Sequence, residues 1–147
     1  MAKRLFDLVF AIVLLAILAP VLLVIGMAVG LGSGGGAFFR QTRIGGGGQP
    51  FQLLKFRTMV PGSEARGQLT IGGRDPRITG VGYLLRKTKL DELPQIWNVL
   101  VGEMSIVGPR PERPHFVGRL APDLPLYRAR HAVKPGLTGW AQVHLEY

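Results

Sequence analysis

The chain has 147 residues, a formal net charge of +9 and no cysteine. This length allows one modest core, and the missing cysteine excludes disulfides, thiolate metal sites and a cysteine nucleophile. The basic excess calls for an anionic partner and leaves nucleic acid, an acidic membrane surface and a phosphorylated small molecule open.

No charged residue occurs from Leu8 to Phe39. Residues 8–31, LVFAIVLLAILAPVLLVIGMAVGL, would reach about 36 Å as a helix, enough to cross a hydrocarbon layer about 30 Å thick. The run is too long for a secretory signal, so it predicts a retained membrane segment. Pro20 removes a backbone donor near its middle and predicts a bend. Basic residues flank both ends, Lys3 and Arg4 before and Arg40 and Arg43 after, so charge sets no orientation for a crossing. Two arrangements stay open here: a simple spanning anchor, and a helix that bends at Pro20 and returns to the face it entered.

GSGGG (32–36) predicts a flexible exit from that segment. AFFRQTRI and QPFQLLKFRTM flank GGGG (45–48) and read as two strands joined by a glycine turn. No Gly-Lys pair occurs anywhere, so the glycines form no P-loop. Residues 61–79 predict a polar surface loop, and GYLLRKTK (82–89) a short helix. Leu93, Ile96, Trp97, Leu100 and Val101 recur at helical spacing and predict a helix with one buried stripe. Asp91 would cap it, with Pro94 in the first turn, where a missing N–H costs nothing. MSIV reads as a short strand, GPRPERP as a stiff extended loop and KPGLTGW as a turn-rich segment. The histidines at 115, 131 and 144 have no metal-ligand spacing. The elements predict a mixed, helix-rich α/β (α+β) fold, with the membrane segment and its exit over 1–36 and a small domain over 37–147.

Asp91 and Glu92 follow Arg86, Lys87 and Lys89. A helix start and nearby cations would keep both carboxylates ionised. That state suits a metal ligand or a nucleophile: Mg²⁺ bridges one or two carboxylates to substrate phosphates, and an ionised aspartate can attack phosphorus. The same residues serve equally as a helix cap, worth about 1 kcal/mol, and a solvated neighbour. Arg110 lies between two prolines that limit the entropy lost on binding, and its guanidinium suits bidentate phosphate contact. Lys55 and Arg57 fall on one face of a strand. For each cation the alternative is a solvated surface charge.

KRLFD (3–7), the proline-interrupted apolar run, FFRQTRIG, LLKFRTM, DPRITGVGYLLRKTKLDELPQIWNVLVGEMSIVGPRPE and KPGLTGWAQV follow one another along the chain. In these motifs and their order the chain resembles the monotopic phosphoglycosyl transferases, the bacterial sugar transferase family, over nearly its whole length. The resemblance implies transfer of a phospho-sugar from a nucleotide-activated sugar, usually UDP-linked, to polyprenyl phosphate. The products would be a polyprenyl diphosphate sugar and UMP, in the first membrane step of glycoconjugate or exopolysaccharide assembly. It further implies Mg²⁺ and a covalent intermediate, with Asp91 as nucleophile and Glu92 as its neighbouring metal or activating carboxylate. Phosphate and substrate contacts map to Lys55, Arg86 and Arg110, with Arg57 beside Lys55.

The resemblance also implies a re-entrant helix broken at Ala19-Pro20, with Lys3, Arg4 and Asp7 at the membrane interface. The domain over 37–147 would then be catalytic, on the cytoplasmic face of a bacterial inner membrane, with membrane lipid as a partner and no nucleic acid. Three features depart from the family pattern. Members often carry Ser-Pro at the break, so here one hydroxyl that would satisfy freed backbone carbonyls is missing. HLEY follows GWAQV where members commonly continue with Asn-Gly-Arg, which removes an expected donor-side contact. GGGG is also unusually glycine-rich for a family turn. A rival reading is a membrane-anchored basic module that binds acidic lipid or nucleic acid without catalysis, in which Asp91 and Glu92 are incidental.

Overall fold

A computed structural model of the chain describes residues 1–63 and 75–144. Most of the loop expected over 61–79 lies outside the described residues, as does HLEY beyond His144. The first element, α1 (Ala2–Ser33), is a single helix with Pro20 inside it. Its length and composition suffice to cross a membrane, and almost none of its most apolar window is buried, unlike the core helix of a soluble domain. β1 (Phe38–Ile44) and β2 (Pro50–Phe56) form a two-stranded sheet. The 3₁₀ turn Gly46–Gly48 joins them. Gly47 and Gly48 take φ of +67° and +74° there, a conformation that explains glycine at these two positions.

The chain continues through α2 (Gly80–Thr88), a 3₁₀ turn (Leu90–Glu92), α3 (Gln95–Val101) and β3 (Ser105–Val107). It closes with α4 (Pro114–Asp123), a 3₁₀ segment (Tyr127–Ala132), β4 (Gly136–Thr138) and α5 (Trp140–His144). β3 and β4 are parallel, pairing Ser105 with Gly136 and Val107 with Thr138. The mixed, helix-rich α/β class expected from the sequence is the one observed. The chain groups into two compact units, one of Met1–Ile17, Arg40–Leu53 and Gln95–Tyr147, the other of Leu18–Phe39 and Leu54–Pro94.

In the first unit Phe51, Leu53, Ile96, Val99, Met104 and Ile106 are buried. Polar side chains hold the elements around them. Asp7 of α1 is 3 % exposed and accepts from the Ile106 amide at 3.0 Å and from the Ser105 hydroxyl at 2.9–3.0 Å. Lys3 donates to Ser105 Oγ and to the Val107 carbonyl. Arg4 donates to the carbonyls of Val99 and Leu100 at 2.7 and 2.8 Å, which places a cation at the C-terminal carbonyls of α3, where Val99 also accepts from the Gly102 amide. Asn98 donates from Nδ2 to the Gln52 carbonyl and to Glu103, and its own carbonyl accepts from the amides of Gly102, Glu103 and Met104.

These bonds overturn one expectation. The inner face of α3 carries Gln95, Ile96, Asn98 and Val99, whereas Trp97 and Val101 of the expected buried stripe are 52 % and 50 % exposed. Asn98 takes an inner position, where its side-chain amide joins the Gln52 carbonyl of β2 to Glu103 in the turn that leads into β3. Periodicity identifies an apolar stripe without saying what it faces.

In the second unit Val29, Phe56 and Leu85 form the core, with Leu22, Ile25, Val81 and Leu90 packed on it. Thr79 caps α2 by accepting from the Gly82 amide. Gly82 is required because a Cβ there would run into the Thr58 main chain. Lys89, at φ +60°, ends α2, and the chain reverses at once into the 3₁₀ turn through Glu92 N–H to Lys89 O and Leu93 N–H to Leu90 O. Asp91 therefore lies inside this turn and not at the cap expected for it, and α3 begins only after Pro94. The left-handed Lys89 tightens the chain into a separate turn that uses these amides first.

Candidate active site

The second unit gathers four of the residues singled out in the sequence. Lys55 comes from the end of strand β2, Arg86 from the last turn of α2, and Asp91 and Glu92 from the 3₁₀ turn. Lys55 Nζ contacts Glu92 Oε1 at 2.6 Å, and both side chains are largely buried. Arg86 donates from Nε to Thr58 Oγ1 at 2.8 Å. Asp91 is 8 % exposed.

Burial raises the Asp91 carboxyl above its ordinary pKa, opposed by the cations Lys55 and Arg86 and reinforced by the neighbouring charge of Glu92. Helix start and cations alone do not decide the ionisation, because a turn packed against the core also imposes desolvation. Arg86 is lowered from its usual value by burial, with Asp91 and Asp75 opposing that shift and Arg77 adding to it. A guanidinium nevertheless keeps its charge in proteins. The result is a buried, more basic carboxylate in the field of two cations, an arrangement suited to receiving phosphate.

Two contributors escaped the sequence reading. Thr58, 7 % exposed, orients Arg86. Asp75 and Arg77 form a nearly buried pair: Arg77 donates from Nε and NH2 to the two Asp75 oxygens at 2.9 and 2.6 Å. Arg77 NH1 also reaches the Ser63 carbonyl, and the Arg77 carbonyl accepts from the Val60 amide. Together with Thr79 N–H to Thr58 O, this pair braces the segment after β2 that carries Thr58. No spacing signals these contacts, because Thr58 and Arg86 lie 28 positions apart.

The remaining candidates sit elsewhere. Arg57 donates to the carbonyls of Gly36 and Phe38 and lies over the Phe39 ring, so it ties down the exit from α1. Ala19 and Pro20 are exposed within α1. Lys3, Arg4 and Asp7 belong to the first unit, where they fasten α1 to α3 and β3. Arg110 is also in the first unit. Its carbonyl accepts from Arg130 at 2.7 Å, beside a small recess that His131 helps to line. Burial and the charges of Arg130 and Arg128 lower the His131 pKa. A substrate role for Arg110 rests on the resemblance.

Among the described residues no three His, Asp or Glu side chains are grouped as metal ligands. Asp91 and Glu92 are adjacent in the 3₁₀ turn and offer the one or two carboxylates that Mg²⁺ commonly takes alongside substrate phosphates and water.

A family model described as bacterial sugar transferase matches residues 1–147. The chain belongs to the bacterial sugar transferase family. It is 46 % identical over 142 residues to the UDP-glucose:undecaprenyl-phosphate glucose-1-phosphate transferase of Escherichia coli (strain K12), covering 97 % of this chain and 31 % of that protein. It is 48 % identical over 141 residues to the protein of the same description from Caulobacter vibrioides, covering 96 % and 53 %. It is 42 % identical over 141 residues to the UDP-N-acetylgalactosamine-undecaprenyl-phosphate N-acetylgalactosaminephosphotransferase of Aeromonas hydrophila, covering 96 % and 33 %. The chain thus spans about a third to a half of the length of these relatives.

Proposed function

We propose that this chain transfers a phospho-sugar from a UDP-sugar to a polyprenyl phosphate at a bacterial membrane. The observation that carries the reading is Asp91, buried yet held in the field of Lys55 and Arg86 beside Glu92. Family membership and relatives named for UDP-sugars and undecaprenyl phosphate support the substrate classes.

In the first step an Asp91 carboxylate oxygen attacks the phosphorus that bears the sugar. The bond from that phosphorus to the bridging oxygen breaks, UMP leaves with the electron pair, and the phospho-sugar is joined to Asp91 as an acyl-phosphate. In the second step a phosphate oxygen of polyprenyl phosphate attacks the same phosphorus and displaces Asp91, giving the polyprenyl diphosphate sugar. The raised basicity of Asp91 favours attack, since nucleophilicity rises with basicity. Lys55 and Arg86 attract the diphosphate and hold Asp91 ionised while it does so. Thr58 fixes Arg86 so that less side-chain freedom is lost on binding. Mg²⁺, when held by Asp91 and Glu92, supplies charge neutralisation at the phosphates.

We further assign the membrane segment and its exit to residues 1–36, with α1 entering the bilayer, turning at Pro20 and returning to the cytoplasmic face, and the catalytic domain to 37–147. This arrangement keeps Lys3, Arg4, Arg40 and Arg43 on one side, in accord with the preference of cytoplasmic flanks for Lys and Arg. Single cysteines placed near Lys3 and Arg43, in a chain without native cysteine, test it. Labelling of both from one side is expected, and labelling from opposite sides would refute the turn. For the chemistry, donor alone should leave the mass of one phospho-sugar on the parent chain and none on Asp91→Asn. Turnover in Asp91→Asn equal to the parent would refute the nucleophile. Turnover with no trapped adduct in the parent would show direct transfer instead.

A further inference from the structure

Asp75 and Arg77 bind no reacting group in the chemistry above, yet both are buried, at 5 % and 8 % exposed. Apolar side chains of similar volume often stabilise a fold as well as a buried ion pair does, or better. Such a pair is therefore better explained by the position it fixes than by the stability it adds. Asp75 Oδ1 accepts from the Arg77 amide at 3.0 Å and from Arg77 Nε at 2.9 Å, and Oδ2 accepts from Nη2 at 2.6 Å. The Asp75 carbonyl accepts from the Ile78 amide, so side chain and main chain close the same turn. Arg77 places its third nitrogen, Nη1, on the Ser63 carbonyl at 2.9 Å.

This turn leads to both partners of the bond between Arg86 and Thr58. Residues 77–79 lie antiparallel to 58–60 through Val60 N–H to Arg77 O, the Met59–Ile78 bridge and Thr79 N–H to Thr58 O. Thr79 then caps α2. Within α2, Gly82 and Arg86 are four positions apart and share one helix face. That face meets Thr58 twice: its main chain approaches Gly82, and its hydroxyl accepts from Arg86 Nε at 2.8 Å.

We propose that Asp75 and Arg77 are positioning residues for the donor. Their pair sets the register of 77–79 on 58–60, and through Thr58 it holds the Arg86 guanidinium for the donor's phosphates. The inference rests on the reading of Arg86 as a phosphate contact. A slip of one residue in this register would turn Thr58 to the opposite face, away from Arg86. A guanidinium fixed in advance loses less freedom when the donor binds, so the effect falls on donor KM.

The test is a double-variant cycle on the full chain in nanodiscs. UMP release is measured with undecaprenyl phosphate and either UDP-glucose or UDP-N-acetylgalactosamine, the donors for which relatives are named. Arg77→Lys keeps the charge but has one nitrogen where the fork bonds through three. Its donor KM should rise about tenfold, equivalent to one bond to a charged group, with kcat within about twofold of the parent. In Thr58→Val, where the bond from Arg86 is already gone, the same change should add less than about twofold. A pair that only holds the fold would give KM increases that multiply in the double variant, and that result would overturn the proposal. A donor KM within about twofold of the parent in folded Arg77→Lys would overturn it too. A parent that releases UMP from neither donor would instead overturn the function proposed above, and this inference with it. If Arg77→Lys shows no cooperative melt, Asp75→Asn, which keeps one oxygen for the Arg77 amide and Nε, enters the same cycle. Loss of folding in both would show that the pair carries the fold, and would overturn its positioning role.

Discussion

Asp7→Ala tests whether one carboxylate locks the start of α1 to β3. Among the described residues β3 has a strand partner on one side, β4, and Asp7 takes the Ile106 amide at 3.0 Å together with the Ser105 hydroxyl. Removing the acceptor leaves a buried amide unpaired, which costs about 1–3 kcal/mol, and forfeits bonds to a charged group worth about 1.5–3 kcal/mol each in isolation. These terms overlap, so the expected loss is about 3 kcal/mol. At about 2–4 °C per kcal/mol for a chain of this size, Tm should fall by about 6–12 °C. Asp7→Asn keeps one oxygen for the Ile106 amide and should cost only about 1 kcal/mol. The assay is thermal unfolding followed by tryptophan fluorescence in one fixed nanodisc preparation, since Trp97 reports on α3. A Tm for Asp7→Ala within about 2 °C of the parent, or an equal loss in Asp7→Asn, would refute the reasoning.

The other predictions concern the buried carboxylate and its supports. Because burial raises the folded-state pKa of Asp91 above its ordinary 3.8, ionised Asp91 destabilises the fold. Its contribution is present below the unfolded pKa and is lost as pH rises through the folded one. Asp91→Asn should therefore match the parent at low pH and exceed it in Tm above that window, while losing turnover; thermal melts across pH read the difference, and a parent more stable than the variant at neutral pH would contradict it. Lys55 lowers and Glu92 raises the Asp91 pKa, so the acidic limb of kcat/KM should move to higher pH in Lys55→Met and to lower pH in Glu92→Gln. Shifts of the same sign would show that the field at Asp91 is wrongly drawn. Thr58→Val removes the partner of Arg86 Nε, a bond to a charged donor worth about 1.5–3 kcal/mol, and should raise the donor KM more than it lowers kcat; an unchanged KM in steady-state UMP release would remove Thr58 from the positioning role. Gly82→Ala should destabilise by about 1–3 kcal/mol through overpacking against the Thr58 main chain, read as a lower Tm, and an unchanged Tm would show that this close approach is relaxed.

Sequence alone was enough for the features that depend on local pattern. A charge-free run past thirty positions makes α1, two half-apolar runs around glycines make the β1–β2 pair, and an Asp-Glu pair beside cations marks the turn proposed as the reactive one. Each follows from the spacing of neighbouring residues or from their φ preferences. Tertiary structure decided what those elements face. Lys55 reaches Glu92 across 37 positions, and Asp7 reaches the Ile106 amide across 99. The inner face of α3 went to Asn98, whose side-chain amide joins β2 to Glu103 in the turn before β3, and Trp97 lies outside. The Asp91 pKa rose because the 3₁₀ turn is packed against a core. Burial and long-range hydrogen bonding arise only when distant segments displace water from one another, and residue spacing within a single segment carries no record of which segments will meet.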